Sequence, residues 1–499
     1  MTNECVLAID LGTGGPKVAI VAVDGTTVAW SSRPVATRFL DGGGAEQDPR
    51  EMWAAIVAAT RATIAAASPT PPIAAVTVTS QYMSIVPVDA NGTPTGPCVL
   101  WMDTRGVEHN LSLLNDESFA LFVERHGMIP LPSGNDDVAH IHVLRTFHPD
   151  AYEAASAFLE PMDYITARLT GRVGATQSTM FGQLVCDNRV WGLTEYDPTL
   201  VAATGLDPDK LPPLLAMNGI VGPLTTAAAG ELGIAPGIPV TSGTIDSITS
   251  AIGSGALTAD DASVIVGTTS VMVSHIGEHR GDLFAGIIGV PSPLTGMYCV
   301  MAENGVGGRA LEWAMHLFGY GDDFATATAD AGTIDVGADG VHFMPWLLGS
   351  IAPNPNDDVR AAFAGLSLRH DRRHLVRAAL EGVAVNLAWL RPAVESFVGR
   401  EFALVRFGGG AAQSDLWAQI LADALDRPVH QLEDPRVTNA RGAAFLAFAT
   451  LGVLAVEEVP SLLRVRAIRH PDPARREAMD AALRRLMDFH GALVNLTKS

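Results

Sequence analysis

The chain has 499 residues, more than one hydrophobic core usually supports, and its composition (48% hydrophobic, 17% charged) is that of a globular enzyme, so two domains are expected. A formal net charge of −21 repels phosphate backbones and anionic lipid, which argues against nucleic-acid and membrane-surface partners but leaves room for a small anion in a local pocket. Cys5, Cys98, Cys186 and Cys299 lie far apart without a Cys-x-x-Cys spacing, the first residues lack a basic start with an apolar run, and no apolar stretch has membrane-spanning length, so a cytoplasmic location is expected.

In chain order, "ECVLAID" (4–10) reads as a strand, "LGTGG" as a bend, "PKVAIVAV" as a returning strand, Asp24-Gly25 as a hairpin turn and "TVAW" as a third strand. "PREMWAAIVAATRATIAAA" (49–67), rich in Ala with Pro49 at its start, predicts a helix, and "IAAVTVTS" (73–80) a β-branched strand. The second half repeats this order: "ASVIVGTTSVMVSHI" (262–276) is again strand, Gly-Thr turn, strand. "RRHLVRAALEGVAVNLAWL" (372–390) places Leu375, Ala379, Gly382/Val383, Asn386/Leu387 and Leu390 on one helical face. "FALVRFGGGAAQSDLWAQILADAL" (402–425) reads as strand, glycine turn and helix, with Ser414 as its N-cap. Two similar halves predict a duplicated α/β domain with a cleft between, and the border falls near residues 246–258.

The stretch "DLGTGGPK" (10–17) is not a dinucleotide fingerprint, because Lys17 stands where a glycine is needed and a strand follows. It is not a Walker A loop either, since Pro16-Lys17-Val18 replaces Gly-Lys-Ser/Thr. A phosphate-holding hairpin fits better. Gly12, Gly14 and Gly15 leave no Cβ between backbone N–H groups and a polyphosphate, Thr13 adds a hydroxyl, and Lys17 adds a compact positive charge. Asp10, ending the first strand, suits Mg²⁺ held through water. A plain hairpin with an ion-paired lysine is the alternative reading of this segment. Gly267-Thr268-Thr269-Ser270 stands in the same context, and Gly408-Gly409-Gly410 joins a strand to a helix whose N-terminus suits a phosphate or an adenosine.

Together these segments resemble the FGGY carbohydrate kinases, within the actin-like ATPase superfamily. "VLWMDTR" (99–105) resembles the segment lining the sugar pocket, "EPMDYITARLTG" (160–171) the P-x-D-Y segment, and "GTIDSITSAIGSGAL" the stretch with the catalytic aspartate, here Asp246. "VIVGTTSVM" is similar to the second phosphate loop, "GGGAAQSDLWAQILADALDRPV" to the adenosine segment, and "AAFAGLSLRHDRRHLVRAALE" (361–381) to the C-terminal signature. Xylulokinases are the members resembled most.

The resemblance implies two ribonuclease-H-like domains, 1–248 and 249–499, with an interdomain catalytic cleft. It implies ATP and Mg²⁺ as cofactors, Asp246 as base, and Asp10 with Asp246 at the metal. Gly12, Thr13, Lys17, Gly267, Thr268, Thr269, Gly409, Gly410 and Ala411 would hold the nucleotide, and Gln81, Tyr82, Met83, Asp103 and Asp246 the acceptor. The implied reaction is phosphorylation of a small sugar or polyol, first D-xylulose to D-xylulose 5-phosphate, with another ketose or polyol as the alternative. A non-kinase actin-like ATPase or a sugar sensor is the rival class, and a homodimer is the implied assembly.

Three departures from the xylulokinase pattern fall toward the implied sugar side. They are Gln81-Tyr82-Met83-Ser84 for Gln-Met-His-Gly, Ser247 after the base, and Gly349-Ser350-Ile351-Ala352-Pro353 without a charged pair. Asp103 pairing with Arg105 is weighed equally with sugar contact. His140, His142 and His148 have metal-ligand types but lack a carboxylate context, so a helix or loop surface is expected. Trp101, Trp313, Trp346, Trp389 and Trp417 are expected in the core.

Overall fold

In the computed structural model, which describes residues 4–497, β1 (Cys5–Gly12) and β2 (Gly15–Ala22) form the expected hairpin, with Asp10 opposite Lys17 and Gly12 opposite Gly15. β3 (Thr27–Ser32) continues the meander. Helix α1 (Pro49–Ala66) starts where the Asp48 side chain accepts the Arg50 N–H and where Pro49 occupies a first-turn position that needs no N–H. Its buried face, Met52, Trp53, Ile56, Ala59 and Thr63, packs on β2 and β3. β4 (Ile73–Ser80) then runs parallel to β1.

The chain next builds a helical region that includes α2 (Asp137–Phe147) and α3 (Pro161–Thr170). It returns to the sheet through β5 (Ile220–Pro223), β6 (Pro239–Thr241) and β7 (Thr244–Ile245). The seven-stranded sheet has the order β5-β6-β4-β1-β2-β3, with β7 also paired to β4. Central β1 is covered on both faces, so Val6, Leu7, Ala8, Ile9 and Leu11 are fully buried.

Helix α4 (Asp246–Gly253) leaves β7 for the second lobe. There β8 (Ala262–Val266) and β9 (Thr269–Ile276) form the second hairpin. With β10 (Gly281–Asp282), β11 (Ile287–Pro291), β12 (Tyr298–Val306), β13 (Val405–Gly408), β14 (Val429–Leu432) and β15 (Val465–Arg469) they make an eight-stranded sheet, order β10-β11-β12-β9-β8-β13-β14-β15. Helix α5 (Gly308–Leu317) follows β12. The 27-residue α6 (Arg372–Val398), capped by Asp371 and ended at Gly399, packs on β9, β12 and α7 (Asp415–Leu425). In both sheets the glycine hairpin has a parallel strand beside it, β4 next to β1 and β13 next to β8.

The lobes meet where α4 crosses α8 (Thr438–Thr450). A Cβ at Gly253 would lie 2.0 Å from the Thr438 carbonyl oxygen, and one at Gly442 1.9 Å from that of Thr249. Only glycine lets these backbones touch, and the contact sets the position of α4 against the second lobe. The C-terminal helix α9 (Arg476–Thr497) covers the far side of α6 and α7. Among the described residues no helix is long and apolar enough to cross a membrane.

Candidate active site

Asp246 is the first residue of α4, so the chain geometry that ends β7 puts its carboxyl at the head of a helix facing the first hairpin. Loss of surrounding water pushes the Asp246 carboxyl up to about 7, and the nearby Asp10 charge adds to the rise. Lys17 and the Ser247 N–H act in the opposite sense. Asp10 is 1% exposed; its Oδ2 receives Lys17 Nζ at 3.3 Å, while its buried Oδ1 has no partner. The Asp10 charge in turn raises the Lys17 ammonium above its ordinary value, with a smaller contribution from Asp246.

From the second lobe, β12 carries Glu303 to the same place. Desolvation and then the Asp246 charge push Glu303 up to about 8, against a hydrogen bond from the Thr269 hydroxyl, and its Oε2 is buried without a partner. Asp10, Lys17, Asp246, Thr269 and Glu303 are therefore one cluster drawn from both lobes. Glu303 was not singled out in the sequence, because no motif marks it.

The two turns are built differently. Thr13 Oγ1 donates to Gln81 Oε1 and accepts from Trp101 Nε1 at 3.0 Å, and the Thr13 carbonyl accepts from Gln47 Nε2 at 2.7 Å. Gly14 opens to space, and a Cβ at Gly12 would only touch the Gly15 carbonyl oxygen at 4.0 Å. Gly15, expected to face a polyphosphate, instead packs on its own chain: a Cβ there would lie 2.1 Å from the Arg33 carbonyl oxygen. In the second turn Gly267 and Thr268 are exposed, and their carbonyls receive the N–H groups of Gly307, Gly308 and Arg309. The third glycine run forms a tight turn of 3-10 helix (Gly410–Gln413) before α7 starts at its Ser414 cap. Gly409 has φ +80°, and a Cβ would meet the Val266 carbonyl oxygen at 2.5 Å, so this shelf is tied to the end of β8. Gly410 is open and Ala411 buried.

The loop expected to line the acceptor pocket follows β4. Gln81 N–H donates to the Leu11 carbonyl, which ties the loop to the first hairpin. Tyr82 faces Glu303, Asp246 and Glu160, whose charges, after burial, hold its phenol well above the ordinary range. Met83 takes a left-handed φ of +55°, unusual for a side-chain-bearing residue. Trp101, expected in the core, lies at this loop: its indole bonds Thr13, and its backbone N–H donates to Ser84 Oγ at 3.1 Å.

Asp103 is fully buried and both its carboxylate oxygens are engaged, by Arg105 (2.6 Å at the closest) and by the Ala45 N–H at 2.9 Å. This is the ion-pair arrangement that the sequence offered beside sugar contact. Ser350, counted among sugar-side departures, points to the terminal helix instead, bonding the Asn354 carbonyl at 2.7 Å and His490 Nε2 at 2.9 Å. The three histidines separate. His140 is buried against the Asp103 carbonyl, His142 stacks on His109, and His148 meets Glu46 at 2.7 Å. Trp346 and Trp417 are core residues, but Trp313 is 38% exposed and stacks beside Phe343 and Phe363.

Two hairpins from duplicated lobes, facing a common cleft, place this architecture among the actin-like ATPases. Residues 5–253 match the N-terminal domain, and residues 262–451 the C-terminal domain, of the FGGY family of carbohydrate kinases. The chain belongs to that family. It is 26% identical to a gluconokinase of Bacillus licheniformis over 99% of this chain and 96% of that one. It is equally 26% identical to a xylulose kinase of Staphylococcus epidermidis, over 95% of this chain and 93% of the other. The crystal structure of xylulose kinase from Rhodospirillum rubrum superposes with a TM-score of 0.84 at 26% identity, covering 99% of this chain and all of that one. Sugar kinase activity is what these relatives have in common.

Proposed function

We propose that the protein transfers the γ-phosphoryl group of ATP to a hydroxyl of a small neutral sugar, with D-xylulose giving D-xylulose 5-phosphate. The observation that carries this reading is Asp246 at the head of α4, with Lys17 and Asp10 on one side and Glu303 on the other. In its ionised form Asp246 accepts the acceptor hydroxyl proton as the new O–P bond forms; the bond to the β,γ-bridging oxygen breaks and its electron pair leaves with ADP. Lys17 offsets charge on the phosphoryl oxygens, and Thr268 donates to the phosphates, while the Thr13 and Thr269 hydroxyls would have to swing to the phosphates from Gln81 and Glu303. Gly409, Gly410 and Ala411 lie against the nucleotide. Closure of the lobes about the α4–α8 contact excludes water from the transfer.

The donor set also fits Mg²⁺. Asp10 Oδ1 is a buried carboxylate oxygen without a partner, and hard oxygen ligands are what this ion takes. Among the described residues no group of three or more His, Cys, Asp or Glu side chains could hold a metal, so Asp10 and Asp246 would share the ion with phosphate oxygens and water. Bound there, Mg²⁺ would neutralise charge on the triphosphate.

Relatives at equal identity include a xylulose kinase and a gluconokinase, so sequence similarity does not choose the acceptor. Charge supports the ketose. Tyr82 faces three carboxyls, Glu303, Asp246 and Glu160, and Lys17 is already paired with Asp10. With Lys17 already paired to Asp10, an aldonate carboxylate entering this surrounding finds no counter-charge there, whereas neutral hydroxyls find hydrogen-bond partners among the carboxyls. The test is ATP consumption by the purified protein with D-xylulose, D-ribulose, glycerol and D-gluconate. D-xylulose is expected to stimulate most and D-gluconate least. Stimulation by D-gluconate alone would overturn the acceptor assignment, and an ATPase indifferent to every acceptor would overturn the kinase reading.

A further inference from the structure

The Tyr82–Met83 turn needs something to hold it, since Met83 is left-handed and the flanking N–H groups point into the protein. Glu160 stands one residue before α3, where a carboxylate often caps its own helix, yet it makes no cap bond there. Its side chain instead reaches 77 residues back: Oε1 accepts the Met83 N–H at 2.7 Å and Oε2 accepts the Ser84 N–H at 3.2 Å. Behind it sits Asp137, the first residue of α2, fully buried and with no partner for either oxygen except Glu160. Gly182 closes the site from the other side, where a Cβ would lie 2.3 Å from Asp137 Oδ2. Burial holds both carboxyls above the ordinary carboxylate range, so the pair shares a proton across its dry contact while both Glu160 oxygens accept backbone N–H groups.

We propose that Glu160, backed by Asp137, is the positioning residue that fixes Tyr82 and Met83 on the acceptor side of the cleft. This rests on the kinase reading for its kinetic readout. Glu160→Gln removes one of the two acceptor oxygens and sets an amide N–H against a backbone N–H, so the turn should loosen. The expected result is a rise of about tenfold in KM for D-xylulose with KM for ATP within about twofold of wild type. Asp137→Asn keeps a donor toward Glu160 and should hold both constants within about twofold. Unchanged KM for the sugar in Glu160→Gln, an equal rise in both KM values, or damage by Asp137→Asn as large as by Glu160→Gln would each overturn the proposal.

Hydrogen exchange on the wild-type protein decides the matter without a variant, and also if no acceptor stimulates ATP use. The Met83 and Ser84 amides should exchange slowly in the sugar-free enzyme although they lie at the cleft. Exchange at the rate of an exposed loop would overturn the proposal, whereas failure of the whole acceptor panel would count against the kinase reading alone.

Discussion

The turn at Thr13-Gly14 and the turn at Gly267-Thr268 come from matching hairpins in the two lobes, yet only the first is locked. Thr13 is held by Gln81, Trp101 and Gln47, so the first turn is continuous with the loop that carries Tyr82 and Met83. The second turn presents exposed Gly267 and Thr268, held by backbone hydrogen bonds within the turn and to the start of α5 rather than by side chains. On the proposed function, matching turns would serve different ends: the first would couple nucleotide and acceptor sides, and the second would be a nucleotide contact alone.

That contrast sets a scale of expected effects. Lys17→Met removes the cation of the first hairpin and leaves Asp10 buried without its partner. We expect about a 10²-fold loss in kcat/KM for ATP, measured beside circular dichroism to confirm the fold. Loss below about threefold would break the view that this hairpin carries the phosphoryl charge. Thr13→Val and Thr268→Val then sharpen the comparison. The first should cost about tenfold and move both KM values, since two side-chain hydrogen bonds tie it to the acceptor loop. The second should cost about two- to threefold, in KM for ATP only. Equal effects from the two valines would show that the locking network has no functional weight.

Much of the framework was legible in the sequence because its signals are local. Apolar runs broken by Gly-Thr turns gave both hairpins, and Pro49 and Ser414 marked helix starts, where the structure shows the first in the opening turn and the second as a cap. The misses share a different cause. Glu160 reaches the loop across 77 residues and Glu303 meets Asp246 from the other lobe, so no spacing pattern announces either. Trp101 had a signal, its place two residues before Asp103, but an apolar neighbourhood read as core. The histidines show the converse error. Positions 140 and 142 are two apart on a helix and so point to different faces, one into the core and one to the surface stack. Gly15 looked free because glycine is silent about which backbone approaches it.

The central claim is that Asp246, ionised, takes the proton from the acceptor hydroxyl. Turnover and kcat/KM with D-xylulose, followed across pH for wild type and Asp246→Asn with ATP binding measured separately, test it directly. Because the carboxyl sits at about 7 and is the base only when deprotonated, wild-type kcat/KM should fall about tenfold per pH unit below that value. The variant should bind ATP, lose roughly 10³-fold in turnover and show no such limb. Near-normal turnover in the variant, with the acid limb retained, would contradict the account.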